Sequence, residues 1–128
     1  MTSEPALVLI VDDDDRNRKL AGDVLREAGF RTLEAATAAD GIALASERLP
    51  DVILMDLRLP DLDGTDATRI LRADPRTSLI PVVALTALRL DGREEWLFEV
   101  GFAGFIVKPI DIDTFPDAVR RFGSHRPD

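Results

Sequence analysis

Short apolar runs alternate with amphipathic segments along the chain. The runs are ALVLIV at 6–11, VILM at 52–55, IPVVAL at 80–85 and AGFIV at 103–107, with a weaker one, FRTLEA, at 30–35. Their length and β-branched content predict strands. Near-continuous apolarity predicts burial on both faces, as in a parallel sheet. Between the runs, apolar residues recur at helical spacing. A first helix puts Leu20, Val24, Leu25 and Ala28 on one face and ends at Gly29. A second starts from Thr37 as N-cap, buries Ala38, Ile42, Ala45 and Leu49, and stops at Pro50. A third follows Gly64, buries Ala67, Ile70 and Leu71, and ends before Asp74-Pro75. A fourth runs from about Asp91 to Val100, with Leu97 and Phe98 packed on the sheet and Trp96 turned sideways or outward. A fifth, from near Asp113, buries Phe115, Ala118, Val119 and Phe122.

The order βαβαβαβαβα predicts an α/β fold, with right-handed crossovers and helices on both faces of a parallel sheet. Five strands favour the flavodoxin-like, doubly wound (βα)5 arrangement with strand order 2-1-3-4-5. A chain of 128 residues is one domain. The pattern gives an N-terminal extension at 1–6, the domain at 7–122 and a frayed tail at 123–128.

Composition then removes several classes of function. No run approaches the length needed to span a bilayer, and MTSEP lacks the features of a signal peptide, so a cytoplasmic protein is expected. There is no cysteine, hence no disulfide and no thiolate site. The net charge of −8 argues against nucleic acid as a partner. The one basic stretch, RNRK at 16–19, sits beside Asp12 to Asp15, which offset it.

In this architecture, sites form at the carboxyl ends of the strands. The first strand is followed by Asp12, Asp13, Asp14 and Asp15, the third by Asp56, the fourth by Thr86 and the fifth by Lys108-Pro109. Asp14 or Asp15 suits the start of the first helix, where the dipole favours anions. Asp12, Asp13 and Asp56 continue buried strands, where a lone carboxylate is costly. Three carboxylates about 5 Å apart repel by roughly 3 kcal/mol per pair at an effective dielectric near 20. Lys108 offsets part of that. A divalent cation with oxygen ligands offsets more, and Mg²⁺ suits carboxylates, waters and phosphate oxygens. An EF-hand is excluded, because no window from either acidic stretch has Gly at position six with Glu at twelve.

The segments VLIVDDD, VILMDLRLPDLDG, ALTA and FIVKPI together resemble the receiver domain of two-component response regulators, over residues 7 to about 122. The resemblance implies Asp56 as phosphoacceptor, with Pro60 four and Gly64 eight residues on as structural positions. It implies Asp12 and Asp13 as the Mg²⁺-binding pair, Asp13 favoured as direct ligand, joined by Asp56 and the backbone carbonyl of Arg58. Thr86 would hydrogen-bond the phosphoryl group and Lys108 pair with it. Phe105 matches an aromatic that changes rotamer with Thr86 on activation, where relatives commonly carry tyrosine. The Lys108–Pro109 peptide is expected to be cis. Arg58 and Leu88 stand where relatives tune dephosphorylation.

The resemblance also implies a signalling protein of the single-domain type rather than an enzyme with a separate substrate. It would catalyse only its own phosphorylation and dephosphorylation. His125 lies in the tail, so the donor is expected to be a separate histidine kinase or histidine phosphotransfer protein, and the output partner binding or phosphorelay. The face made by the fourth helix, fifth strand and fifth helix, with Trp96 nearby, is the expected surface for a downstream target. The chain is expected to be a monomer or a phosphorylation-dependent dimer. Two alternatives stand beside this. DLDGT at 61–65 matches the nucleophile motif of haloacid-dehalogenase-type phosphatases, with Asp61 as nucleophile and Asp63 as acid/base, although Pro60 separates it from the strand. The other is a receiver-like interaction module that works without phosphorylation.

Overall fold

The computed structural model describes residues 5–87, 92 and 94–123. Leu88, Asp91 and His125, which carried expectations above, lie outside the described residues. The elements are β1 (Leu7–Val11), α1 (Asp15–Glu27), β2 (Arg31–Ala35), α2 (Ala38–Arg48), β3 (Val52–Asp56), α3 (Gly64–Ala73), β4 (Val82–Thr86), α4 (Glu94–Val100), β5 (Gly104–Val107) and α5 (Phe115–Gly123). All neighbouring strands pair parallel, in the order β2-β1-β3-β4-β5. Fold class and strand order are those predicted. Among the described residues no helix is long and apolar enough to cross a membrane.

Every residue of β1, β3 and β4 is buried, as their unbroken apolarity requires. The edge strands β2 and β5 are partly exposed. Side chains alternate across the sheet and feed two cores. Leu9, Val11, Ile53, Met55 and Ala84 meet α2, α3 and α4 through Ala38, Ala45, Ala67, Leu71 and Leu97. Val8, Ile10, Leu54, Val83 and Leu85 meet α1 and α5 through Ala21, Leu25, Phe115 and Val119. Burial of a leucine such as Leu25 or Leu71 contributes about 2 kcal/mol.

The helices differ from the periodicity reading in their inward faces. In α1 the sheet-facing residues are Ala21, Gly22 and Leu25, while Leu20 is exposed. Thr37 caps α2 as predicted, its hydroxyl accepting from the Asp40 N–H at 3.1 Å. Leu49, expected inside, is the left-handed C-cap (φ 48°) and is exposed. In α3 the inward position falls to Thr68 rather than Ile70. The Thr68 hydroxyl donates to the Gly64 carbonyl at 2.8 Å, which lets a polar residue sit in the core. Leu97 is fully buried in α4, but Phe98, expected beside it, is 52% exposed. Helix α5 begins at Phe115, two residues after the expected start, with Ala118 and Phe122 only half-buried. The Phe122 ring sits where a side chain on Gly104 would be: a methyl group there would lie 2.5 Å from Cζ.

Candidate functional site

Four strands end at one edge of the sheet and deliver four polar side chains. Asp12 follows β1 and keeps its ladder, donating its N–H to the Ala35 carbonyl at 3.1 Å. The residue is 1% exposed, and its carboxylate accepts the Asp14 N–H at 2.9 Å through Oδ1. Asp56 is the last residue of β3, and its Oδ1 accepts the Arg58 N–H at 3.0 Å. Thr86 ends β4, and its carbonyl accepts the Lys108 N–H at 2.7 Å. The Lys108 ammonium lies 2.9 Å from Asp56 Oδ2 and 3.0 Å from Asp12 Oδ2, bridging the two carboxylates. Asp13 is exposed, yet one of its carboxylate oxygens lies with one each from Asp12 and Asp56, all within 4.8 Å of one another.

These groups border a cleft of about 280 Å³, lined by Asp13, Asp56, Arg58, Thr86 and Lys108 among others. Burial pushes the Asp12 carboxyl above the usual carboxylate range, against the opposing pull of the Asp14 N–H and of Lys108. Burial also opposes the charge on Lys108. The hydrogen bonds and charges of Asp56 and Asp12 outweigh it and hold the ammonium above the usual lysine value. Lys108 therefore stays protonated at neutral pH. One ammonium faces three carboxylates, so the donor set retains a net negative charge and all-oxygen chemistry. That fits a hard divalent cation such as Mg²⁺.

The loop after Asp56 is fixed at two points. Gly64 opens α3 against the backbone of the strand end: its N–H donates to the Leu57 carbonyl at 3.0 Å. A methyl group on Gly64 would overlap the Asp56 carbonyl oxygen and lie 3.0 Å from the Leu57 Cα. Only glycine allows that approach, so Gly64→Ala must displace the segment carrying Asp56 and Arg58. We expect a loss of about 2–3 kcal/mol in urea unfolding, with a weakened cation site measured by Mg²⁺ titration.

The second point is Asp61, the nucleophile of the phosphatase alternative. Its two carboxylate oxygens accept the N–H groups of Ala38 and Ala39 at 2.9 and 3.0 Å. With Thr37 on Asp40, the first donors of α2 are thus satisfied from two places. Those hydrogen bonds, the Ala38 N–H foremost, hold the Asp61 carboxyl below its usual range. Asp61 joins the loop to the start of α2 and is not among the residues that line the cleft. Asp61→Ala is expected to lower the melting temperature by a few degrees, read by circular dichroism, without abolishing the cleft. A separation of 23 residues hid this contact from any local pattern.

Of the remaining expected positions, Phe105 is half-buried on β5, opposite Ala84 in the register. Lys108–Pro109 is cis. Pro60 is exposed in the loop between β3 and α3. Trp96 is 44% exposed on α4.

Comparison with known proteins agrees with this geometry. The family model described as "Response regulator receiver domain" matches residues 8–120. The polar-differentiation response regulator DivK of Brucella anthropi is 35% identical over 118 residues, which cover 92% of this chain and 96% of that protein. Among solved structures, the chemotaxis response regulator CheY4 of Vibrio cholerae superposes with a TM-score of 0.86 at 27% identity, covering 92% of this chain and 98% of that one. The receiver domain of a sensor histidine kinase from Pseudomonas aeruginosa PAO1 superposes with a TM-score of 0.85 at 32% identity, covering 94% and 98%. That structure has a magnesium ion coordinated in its active site cleft. With the family model matching residues 8–120 and a relative 35% identical over 92% of the chain, the chain belongs to the receiver domain family of two-component response regulators.

Proposed function

We propose that the chain is a phosphorylation-switched receiver. In this reading it accepts a phosphoryl group on Asp56 from a histidine kinase or histidine phosphotransfer protein. The observation that carries it is the ammonium of Lys108 held between Asp56 and Asp12 at the mouth of a cleft bordered by Thr86. Phosphoryl transfer needs little covalent help. Its loose transition state rewards positioning and neutralisation of charge on the equatorial oxygens.

A carboxylate is already ionised at neutral pH and needs no base. The Arg58 N–H and Lys108 orient Asp56 through one oxygen each, and each oxygen keeps a further lone pair for attack. The new bond joins a carboxylate oxygen to phosphorus while the bond to the donor nitrogen breaks, and the donor imidazole keeps the electron pair. Lys108 pairs with the arriving phosphoryl oxygens, and the Thr86 hydroxyl hydrogen-bonds them. Asp12, Asp13, Asp56 and the Arg58 carbonyl would hold Mg²⁺, with Asp13 the direct member of the pair. When bound, the ion neutralises charge on the transferring group. Thr86 and Phe105 form the switch that reports the phosphoryl group to the face of α4, β5 and α5. There Trp96 and Phe98 are exposed for a protein target.

A small acyl phosphate with Mg²⁺ tests this directly. Intact mass is expected to rise by one phosphoryl group, and peptide mapping to place it on Asp56. Label confined to any other residue, or none at all, overturns the reading.

A further inference from the structure

The basic stretch at 16–19 contains a side chain that neither the composition nor the proposed chemistry accounts for. Arg18 lies on the first turns of α1, and its side chain is 18% exposed. Its guanidinium meets three acceptors in three directions. Nη1 donates to the Asp12 carbonyl at 2.8 Å, Nη2 to Asp15 Oδ1 at 2.6 Å, and Nε lies 3.4 Å from Glu34 Oε1 on β2. Glu34 is held in turn by Arg26 at 3.5 Å. Only the rigid fork of an arginine reaches three such partners at once.

The contact with Asp12 falls on the peptide that joins Asp12 to Asp13. Asp12 is thereby gripped on both sides, its N–H by Ala35 and its carbonyl by Arg18. Fixing that peptide plane fixes the direction in which Asp13 leaves the strand. Asp13 is exposed, so its aim depends on the backbone beneath it. The charge of Arg18 is already matched by Asp15 and Glu34, so it is not there to neutralise the cleft.

We infer that Arg18 is a positioning residue for the cation site: it holds the Asp12–Asp13 peptide so that both carboxylates converge on one divalent ion. The inference rests on the Mg²⁺ reading above. Electrostatics and positioning predict opposite signs. Removing a positive charge near a cation site strengthens cation binding, whereas releasing the peptide weakens it.

The test is calorimetric titration of Mg²⁺ into the whole chain and into Arg18→Met at fixed ionic strength, with urea unfolding run in parallel. The dissociation constant of the variant is expected to rise about tenfold, the scale of losing an outer partner of a metal ligand. A purely structural role would lower the unfolding midpoint while leaving the affinity of the folded protein unchanged. Equal or tighter binding in Arg18→Met overturns the inference. Should that variant not fold, Arg18→Lys keeps the charge but cannot make all three contacts. A several-fold loss there supports the inference, and unchanged affinity overturns it. Absence of Mg²⁺ binding by the unaltered chain removes the metal reading itself, a separate result from a variant that binds as well as its parent.

Discussion

Asp56→Asn takes up no phosphoryl group from a small acyl phosphate in the presence of Mg²⁺, while the parent chain gains one per molecule. The substitution keeps the shape of the side chain, and the Arg58 N–H can still donate to the amide oxygen. What it removes is the ionised oxygen that attacks phosphorus, so uptake falls to nothing rather than by a modest factor. The fold is expected to survive. Asp56 is 8% exposed, but its loss relieves two of the three mutual repulsions in the cluster, each worth roughly 3 kcal/mol at an effective dielectric near 20. Lys108 also keeps Asp12 as a partner. Intact mass and a urea melt on the same sample check both halves. Stoichiometric uptake at residue 56 in the variant would sink the assignment.

Lys108→Met is expected to make the protein's stability depend on Mg²⁺. Methionine fills the space of the lysine stem but leaves Asp12 and Asp56 facing each other without a cation. Breaking a pair with one partner this buried costs about 3 kcal/mol. A cation at ten times its dissociation constant returns about 1.4 kcal/mol. The pH dependence has a definite sign. Because the folded protein holds the Lys108 pKa above its ordinary value, the lysine's contribution is complete below the ordinary lysine pKa. It is lost only as pH rises through the folded value. The gap between parent and variant is therefore full at neutral pH and closes on the alkaline side. It also narrows at acid pH, where Asp12, whose pKa burial has already raised, takes up a proton and the repulsion ends. Urea midpoints across pH, with and without Mg²⁺, measure this. A variant within about 0.5 kcal/mol of its parent at neutral pH without metal would show that Lys108 does not hold the cluster together.

The site was legible because Asp12, Asp56, Thr86 and Lys108 each directly follow an apolar run. A polar side chain after VILM or FIV has no local reason to be there, and the topology takes all four strand ends to one edge. Helix faces were harder. Counting large apolar residues selected Leu20, Ile70 and Phe98, whereas α1 meets the sheet through Ala21 and Gly22, which carry almost no periodic signal. Thr68 is buried because its hydroxyl finds the Gly64 carbonyl, a partner the pattern did not reveal. Asp61 and Arg18 act across tertiary contacts, on α2 in one case and on Asp12, just past β1, and β2 in the other. Neither contact has a signature in neighbouring letters. Gly64 was recognised from its spacing to Asp56, but its reason, backbone packed against backbone, became visible only in three dimensions.

The ion pairs along β2 also bear on how the molecule behaves at high concentration. β2 is the outer strand of a parallel sheet, and an unguarded outer strand is a template on which another chain can add. Here Arg31 is exposed, and Glu34 is drawn sideways by Arg18 and Arg26 from α1. A newcomer strand would have to displace bound charges before forming its first hydrogen bond. Sequence changes that make β2 more apolar, however well they pack, would trade solubility for a sticky margin on the molecule.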